Sequence, residues 1–417
     1  MLFFYRLALN FIFLISPIII IYRIFKKKED PRRFVEKIGK YSKKNVSNNL
    51  IWFHGSSVGE ILSIIPLIEK LEKRKNIKKI LITSNTLSSA KIINKLKLKK
   101  TFHQFFPLDT KFLAEKFLNH WKPKAVFFIE SEIWPNMILK IKEKNIPLIL
   151  LNARITKKSF KKWNSIPSFS KKIFNEFELC LGQNNKTCNY LKILGAKNIK
   201  KIGNLKFSET NLKNIDIVGK KIKKFFKTKK ILFAGISTHK NEEIFCANIH
   251  LKLKKEYTNG ITILIPRHVH RSIEIKEEIE RMGLKVHLHS SHKTKVDEKT
   301  DIYLVDTFGE TKSFLKVCKI VFIGGSLIKH GGQNPLEAAR AGCKVIHGPN
   351  IDNFLEVYDL LNKNNISYKI KTINASKIII KQTLINKTST KKNINKLNYI
   401  GDEILNKNQK EIIKYIK

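Results

Sequence analysis

Three glutamates stand just past short apolar runs, where a carboxylate is placed to take or give a proton. In "LIWFHGSSVGEILSIIPLIEKL" the apolar run breaks at His54-Gly55, Ser56 and Ser57 follow, and Glu60 falls in the first turn of the amphipathic stretch behind them. Carboxylates are ordinary there, because the free N–H groups of a helix start carry partial positive charge. Position alone therefore leaves Glu60 between a first-turn residue and a base. Glu130 and Glu132 follow another run in "FFIESEIWPNMI", ahead of a helix opened by Trp134-Pro135. Two carboxylates so close can serve acid/base chemistry or cap the helix. In "LLNARITKKS", Asn152 and Arg154 close the next run, where Arg154 could pair with Glu130 or Glu132 or meet an anionic ligand.

The second half of the chain carries groups suited to an anion. "KIVFIGGSLIKHGGQNPLEAARAG" sets Gly324, Gly325 and Ser326 after a strand, and its glycines permit close backbone approach and positive φ. Asn334 then caps a helix with Pro335 at its first position, Gly342 closes it, and Glu337 is placed one turn in to accept from ribose hydroxyls. A glycine-lined helix start suits a phosphate. "ILFAGISTHKNEE" offers Ser237 and Thr238 as cap or phosphate donors at a second strand-to-helix turn. The spacing from His239 to Glu242 lacks the second histidine of a zinc-binding helix, so no metal is expected there. "LIPRHVHRS" puts Arg267 and His268 just past a strand, where a guanidinium suits phosphate or carboxylate.

These loops require a scaffold that brings strand ends together. Apolar runs at 51–53, 80–83, 125–129 and 148–151 read as buried parallel strands, alternating with helical stretches at 61–73, 88–98, 113–120 and 134–144. After a lysine-rich segment at 205–230, expected to be a hinge, strands are expected at 231–234, 261–265, 285–287, 302–305, 321–323 and 344–346. Alternation of this kind builds open α/β domains, and 417 residues are long for a single core. The tail beyond about Asn365 carries little signal until "YIGDEILNKNQKEIIKYIK", which has a helical pattern.

Composition narrows the partners. Lys+Arg number 81 against 34 Asp+Glu, a formal +47, which fits nucleic acid, an anionic membrane face or phosphorylated substrates. The lysines are spread among Asn and Ile, with no arginine-rich arm and no zinc-finger spacing. Cys180, Cys188, Cys246, Cys318 and Cys343 are scattered and form no C-x-x-C, so neither a disulfide framework nor a zinc site is suggested. Residues 7–22, "LALNFIFLISPIIIIY", are almost wholly apolar, with Arg6 before them and Arg23, Lys26, Lys27, Lys28, Arg32 and Arg33 after. The run approaches the roughly 20 residues of a span only when counted from Leu2, and Pro17 is expected to kink it. With no small-residue cleavage site, it reads as an uncleaved anchor, spanning or lying in the interface, whose basic flank holds the next domain on the cytoplasmic side.

Taken in order, "WFHGSSVGE", "FFPLDT", "IESEIWPN", "NARITKKS", "GNLKF", "STHKNEE", "IPRHVHR", "DTFGE", "FIGGSLIKHGGQNPLEAARAG" and "GPNIDNF" closely resemble the blocks of the 3-deoxy-D-manno-octulosonic acid (Kdo) transferases. The resemblance runs from the apolar N-terminus to about Leu361. It implies a GT-B glycosyltransferase: two Rossmann-like doubly wound domains facing a cleft, with an N-terminal membrane-anchor helix. It also implies transfer of Kdo from CMP-Kdo to the lipid A precursor at the cytoplasmic face of the inner membrane, with inversion and no cofactor. The implied parts are an anchor and flank at 1–28, an acceptor domain at 29–208, a nucleotide-sugar domain at 209–395, and a helix at 396–417 returning to the first domain.

The same resemblance makes Glu60 the base and assigns CMP-Kdo contacts to Arg267, Gly324, Gly325, Ser326, Asn334 and Glu337, beside the hydroxyls of Ser237 and Thr238. Ser56, Ser57, Glu130, Glu132 and Arg154 become cleft residues. Gln333 stands where many members carry histidine and cannot titrate near neutrality, so no acid role falls to it. No D-x-D stands in a suitable loop, so turnover without a divalent metal is expected. Partners are then CMP-Kdo, the lipid A precursor and inner-membrane lipids. The rival readings are another GT-B enzyme, such as a lipid A disaccharide synthase or a sugar-nucleotide epimerase, and a membrane-tethered nucleic-acid-binding protein. Only the net charge supports the last, and no nucleic acid is expected.

Overall fold

Short runs of branched and aromatic residues, buried on both faces, build two parallel seven-stranded sheets, as strands covered by helices on both sides require. The first holds β1 (Leu50–His54), β2 (Lys79–Ser84), β3 (Thr101–Phe105), β4 (Ala125–Ile129), β5 (Leu148–Ala153), β6 (Leu179–Gly182) and β7 (Ile199–Lys201), in the order 3-2-1-4-5-6-7. The second holds β8 (Lys230–Thr238), β9 (Gly260–Pro266), β10 (Val286–Leu288), β11 (Ile302–Leu304), β12 (Ile320–Ile323), β13 (Lys344–His347) and β14 (Ser367–Lys369), in the order 10-11-9-8-12-13-14. Each strand order reverses direction once, between β1 and β4 and between β8 and β12. Ligands of doubly wound sheets bind outside the strand C-termini at such switch points.

The computed structural model describes residues 1–26, 29–41, 49–96, 98–208, 220–291, 296–385 and 390–416. Helices in the first half are α1 (Leu2–Phe25), α2 (Val58–Glu72), α3 (Leu87–Lys95), α4 (Lys111–Trp121), α5 (Pro135–Glu143), α6 (Lys157–Asn164), α7 (Pro167–Phe174) and α8 (Asn185–Leu194). Those of the second are α9 (Lys220–Thr228), α10 (Glu242–Lys254), α11 (Ser272–Glu280), α12 (Thr311–Leu315), α13 (Leu336–Arg340), α14 (Leu355–Lys363), α15 (Ile373–Ile385) and α16 (Thr390–Ile413). The chain divides into two compact units, 1–210 with 399–417, and 211–398. Each has its own core, around Trp52, Phe117 and Phe128 in the first and Phe233, Leu264 and Phe322 in the second. The middle of the expected hinge, 209–219, lies outside the described residues, as do Lys27 and Lys28.

The end of α16 packs with the first unit. Lys200 pairs with Glu411 at 2.9 Å, Lys70 donates to Asn406 at 2.6 Å, and Gly203 (φ 118°) leaves room for Ile404. At the other terminus α1 is one helix with Pro17 inside it. Proline cannot donate to the carbonyl four residues back. The Ser16 hydroxyl serves that carbonyl, Phe13 O, at 2.7 Å. The basic flank is also less free than its charges suggest. Arg23 bonds Glu29 at 3.2 Å, and Arg33 forks onto Glu36 at 2.8 and 2.9 Å.

Candidate active site

The turn after β1 delivers Glu60 as the third residue of α2, inside a complete capping box. The Ser57 hydroxyl accepts from the Glu60 amide at 3.3 Å and donates to Glu60 Oε1 at 2.8 Å. Glu60 Oε2 accepts from the Ser56 amide at 2.7 Å. Those donors favour the charged carboxylate, yet its pKa is pushed up to about 7, first by burial and then by the charges of Glu132 and Glu130. A helix-start glutamate in solvent has no such shift. The cap thus fixes in place a carboxylate whose surroundings raise its pKa toward neutrality.

Glu132 reaches the same turn from the loop after β4, across the switch point. Its Oε2 accepts from the Ser56 hydroxyl at 2.6 Å, His54 Nε2 at 3.0 Å and Trp134 Nε1 at 2.8 Å. One serine thus holds both carboxylates, by its amide and by its hydroxyl. The Ser56 hydroxyl in turn accepts from Asn85 Nδ2 at 2.8 Å. His54 is wholly buried, with Nδ1 on the Thr83 hydroxyl at 2.9 Å. Three donors hold Glu132 below the usual carboxylate range despite its burial. The two neighbouring carboxylates are therefore shifted in opposite directions, a pattern that recurs at acid/base sites.

Glu130 is buried at the end of β4 in the left-handed region (φ 57°), a conformation that costs a non-glycine residue about 1 kcal/mol or more. Its carbonyl accepts from the Arg154 amide at 3.2 Å, and its Oε1 meets Lys206 Nζ at 2.5 Å. Lys206, from "GNLKF", thus joins the rim by pairing with a carboxylate that sequence reading had offered to Arg154. Its loop is fixed by Asn152 (φ 53°), whose Oδ1 accepts from the Leu205 amide at 2.9 Å.

In the second unit the turn after β12 is organised by a residue to which the sequence assigned no role. Glu242, 1 % exposed, sends Oε2 to the amides of His239 and Gly325 at 3.0 and 2.6 Å. Its Oε1 takes the amides of Ser326 and Leu327 at 3.1 and 2.9 Å. The amides that looked free for a phosphate are saturated by an internal carboxylate. Above them stand His239, His330 and His268, with ring centroids 4.5 and 5.6 Å from His239, and the exposed Arg267. Burial, and then the neighbouring His330, His268, Arg267 and Arg271, lower the His239 pKa to about 4, so its ring is neutral, and Gln333 Nε2 lies 3.4 Å from His239 Nε2.

The family described as 3-deoxy-D-manno-octulosonic-acid transferase (kdotransferase) matches residues 32–209. The 3-deoxy-D-manno-octulosonic acid transferase of Rickettsia bellii is 36 % identical over 366 residues, covering 86 % of this chain and 86 % of that protein. The chain belongs to the Kdo transferase family. The transferase of Haemophilus influenzae is 29 % identical over 317 residues, 75 % of this chain and 73 % of that one. The fold extends further. UDP-GlcNAc 2-epimerase from Neisseria meningitidis superposes with a TM-score of 0.56 at 14 % identity, over 88 % of this chain and 99 % of that one. This Kdo transferase is accordingly a glycosyltransferase of GT-B architecture.

The structure gathers Ser56, Ser57, Glu60, Glu130, Glu132 and Arg154 around the β1/β4 switch point of the transferase's first unit. In its second unit several of the expected ligand contacts are buried or have partners within the fold. Thr238 is fully buried, and Ser326 spends its hydroxyl on Ile323 O at 2.6 Å and on the Gly348 amide at 2.9 Å. Gly324 is glycine because a Cβ would strike the Ser237 carbonyl on the neighbouring strand, and Ser237 itself sits at φ 54°. Gly325 (φ 67°) leaves space beneath His330, Gln333 and His239. Asn334 Oδ1 caps the Leu336 amide at 3.1 Å, one residue beyond the expected start, and Glu337 is exposed beside Lys312 at 3.6 Å. Glu242, His54 and Lys206 were missed as a group, because each acts on a partner more than 75 residues away.

Proposed function

We propose that the chain transfers Kdo from CMP-Kdo to a primary hydroxyl of the lipid A precursor lipid IVA, in one inverting displacement with Glu60 as general base. The observation that carries this reading is the Glu60 carboxyl, held by the Ser56 and Ser57 donors yet pushed up to about 7. Such a base is largely deprotonated above neutrality and still strong enough to share a proton in the transition state. The acceptor oxygen bonds to the anomeric carbon of Kdo while the bond from that carbon to the CMP phosphate oxygen breaks. Glu60 takes the hydroxyl proton, and CMP leaves with the electron pair.

Charge on the departing phosphate falls to Arg267 and the N–H groups of His268 and His330, since Glu242 fills the backbone amides below. Glu337 and Asn334 are left for the nucleoside. α1 is the chain's single described helix long and apolar enough to cross a membrane, and we place it at the cytoplasmic face of the inner membrane.

Incubating the purified chain with CMP-Kdo and lipid IVA is expected to give products heavier by whole Kdo residues, undiminished when EDTA is present. No mass gain would overturn the reading, and loss of product with EDTA would overturn its metal-free form. The pH profile tests the base directly. kcat/KM should climb about tenfold per pH unit below about pH 7 and level off above it. Glu132→Gln keeps an acceptor for Ser56, His54 and Trp134 but deletes the like charge, leaving burial as the main cause of the Glu60 shift. Its acid limb should move down by up to about one unit. An unmoved limb in CMP-release assays would separate Glu132 from Glu60.

A further inference from the structure

We propose that α1 does not cross the bilayer but lies in the plane of one leaflet, its outer face and the lysines of α6 and α7 forming one surface for anionic lipid. This rests on the membrane attachment proposed above and goes beyond it by assigning the orientation. α1 has two unlike stripes. Tyr5, Leu9, Phe13, Ser16 and Ile20 turn inward, half-buried or buried. A stripe running from Phe3 through Leu7, Phe11, Leu14, Ile18 and Tyr22 to Phe25 is 57–82 % exposed along the whole helix.

Both ends of α1 are tied to the first unit. Near its start Tyr5 donates to Asp109 Oδ2 at 2.7 Å and Arg6 donates to Asn136 Oδ1 at 3.0 Å. Asp109 is 2 % exposed and also accepts the amides of Asn136 and Met137 at the start of α5. Near its end Arg23 holds Glu29, which pairs with Lys37 at 2.8 Å, and Lys37 donates to Asn85 O at 3.2 Å. Twenty-four helical residues measure about 36 Å. Crossing a hydrocarbon core of about 30 Å would carry Tyr5 to the side opposite Asp109. Asp109 belongs to a domain whose lysines and loop backbone cannot enter hydrocarbon. While these bonds stand, the helix is parallel to the surface.

The distribution of charge agrees. A spanning anchor needs basic residues at its cytoplasmic end alone. Here the start of α1 also has a basic neighbour: Tyr5 packs on Phe169 of α7 (centroids 6.4 Å), and Phe169 on Trp163 of α6 (6.1 Å). Lys161, Lys162, Lys171 and Lys172 stand exposed on these two helices, and α6 buries none of its residues. An apolar face joined to a basic one is the two-signal design of interfacial proteins.

The test uses the full chain with an epitope before Met1 and another after Lys417, expressed in Gram-negative cells. In inside-out membrane vesicles both epitopes should be lost to added protease, and in right-side-out vesicles both should survive. An N-terminal epitope cut only in right-side-out vesicles would overturn the in-plane helix while leaving the membrane reading intact. A chain that does not sediment with membranes would overturn both. Replacing Lys161, Lys162, Lys171 and Lys172 by Gln should weaken binding to phosphatidylglycerol-rich vesicles by about 10²-fold at low salt and leave phosphatidylcholine binding unchanged. Equal binding to both lipids would remove the basic half of the surface.

Discussion

Glu60→Gln is expected to cut Kdo transfer by about 10²–10⁴-fold, leave CMP affinity unchanged, and raise stability above neutral pH. The three outcomes come from separate physical causes. Transfer falls because an amide cannot take the acceptor's proton. CMP affinity holds because the groups assigned to the nucleotide belong to the second unit. Stability rises because the folded state holds this carboxyl at about 7, against an ordinary 4.5. The folded protein therefore binds the proton more tightly than the unfolded chain, and the wild type loses stability as pH rises across that window. Gln keeps an acceptor for the Ser56 amide and so preserves much of the capping box. With allowance for partial exposure, the variant should gain about 1–2 kcal/mol at pH 8 and little at pH 5. A variant that melts lower at both pH values would make Glu60 a helix cap alone, and near-normal turnover would remove it from the reaction.

What was legible in the sequence, and what was not, follows from how far each signal reaches along the chain. The central strands are apolar runs buried on both faces, so "IWF", "AVFFI" and "LILL" announce themselves. β3 ("TFHQF"), β6 ("LCLG"), β7 ("IKK") and β14 ("SYK") were not read, because short strands toward the sheet edges need little apolar alternation. The Glu60 cap is a four-residue pattern and was visible. Its raised pKa was not, since that depends on burial in the fold and then on Glu132 arriving from the loop after β4. Asp109, in the block "FFPLDT" to which no role was given, holds Tyr5 and the start of α5. A block pattern marks where a residue matters without saying to what it is bonded.

Glu242 shows the same limit and carries the second large effect. Glu242→Ala is expected to lower the stability of the second unit by about 3–5 kcal/mol and to reduce CMP affinity at least about tenfold. Four amides, from His239, Gly325, Ser326 and Leu327, converge on the two oxygens of this carboxylate. Removing it strands them in a largely buried site, and an unsatisfied buried donor carries its full desolvation penalty. The loop they belong to sets His330 and Gln333 against His239, the face proposed for the phosphate. Loss of the carboxylate should therefore loosen the nucleotide site before the unit unfolds. Glu242→Gln separates charge from geometry: one carbonyl can replace at most part of the set, and its amide group opposes the rest, so an intermediate loss is expected in both melting and CMP titration. If the alanine variant instead bound CMP more tightly at unchanged stability, the vacated amides would be taking the phosphate themselves, and Glu242 would be a competitor for that position, not its scaffold.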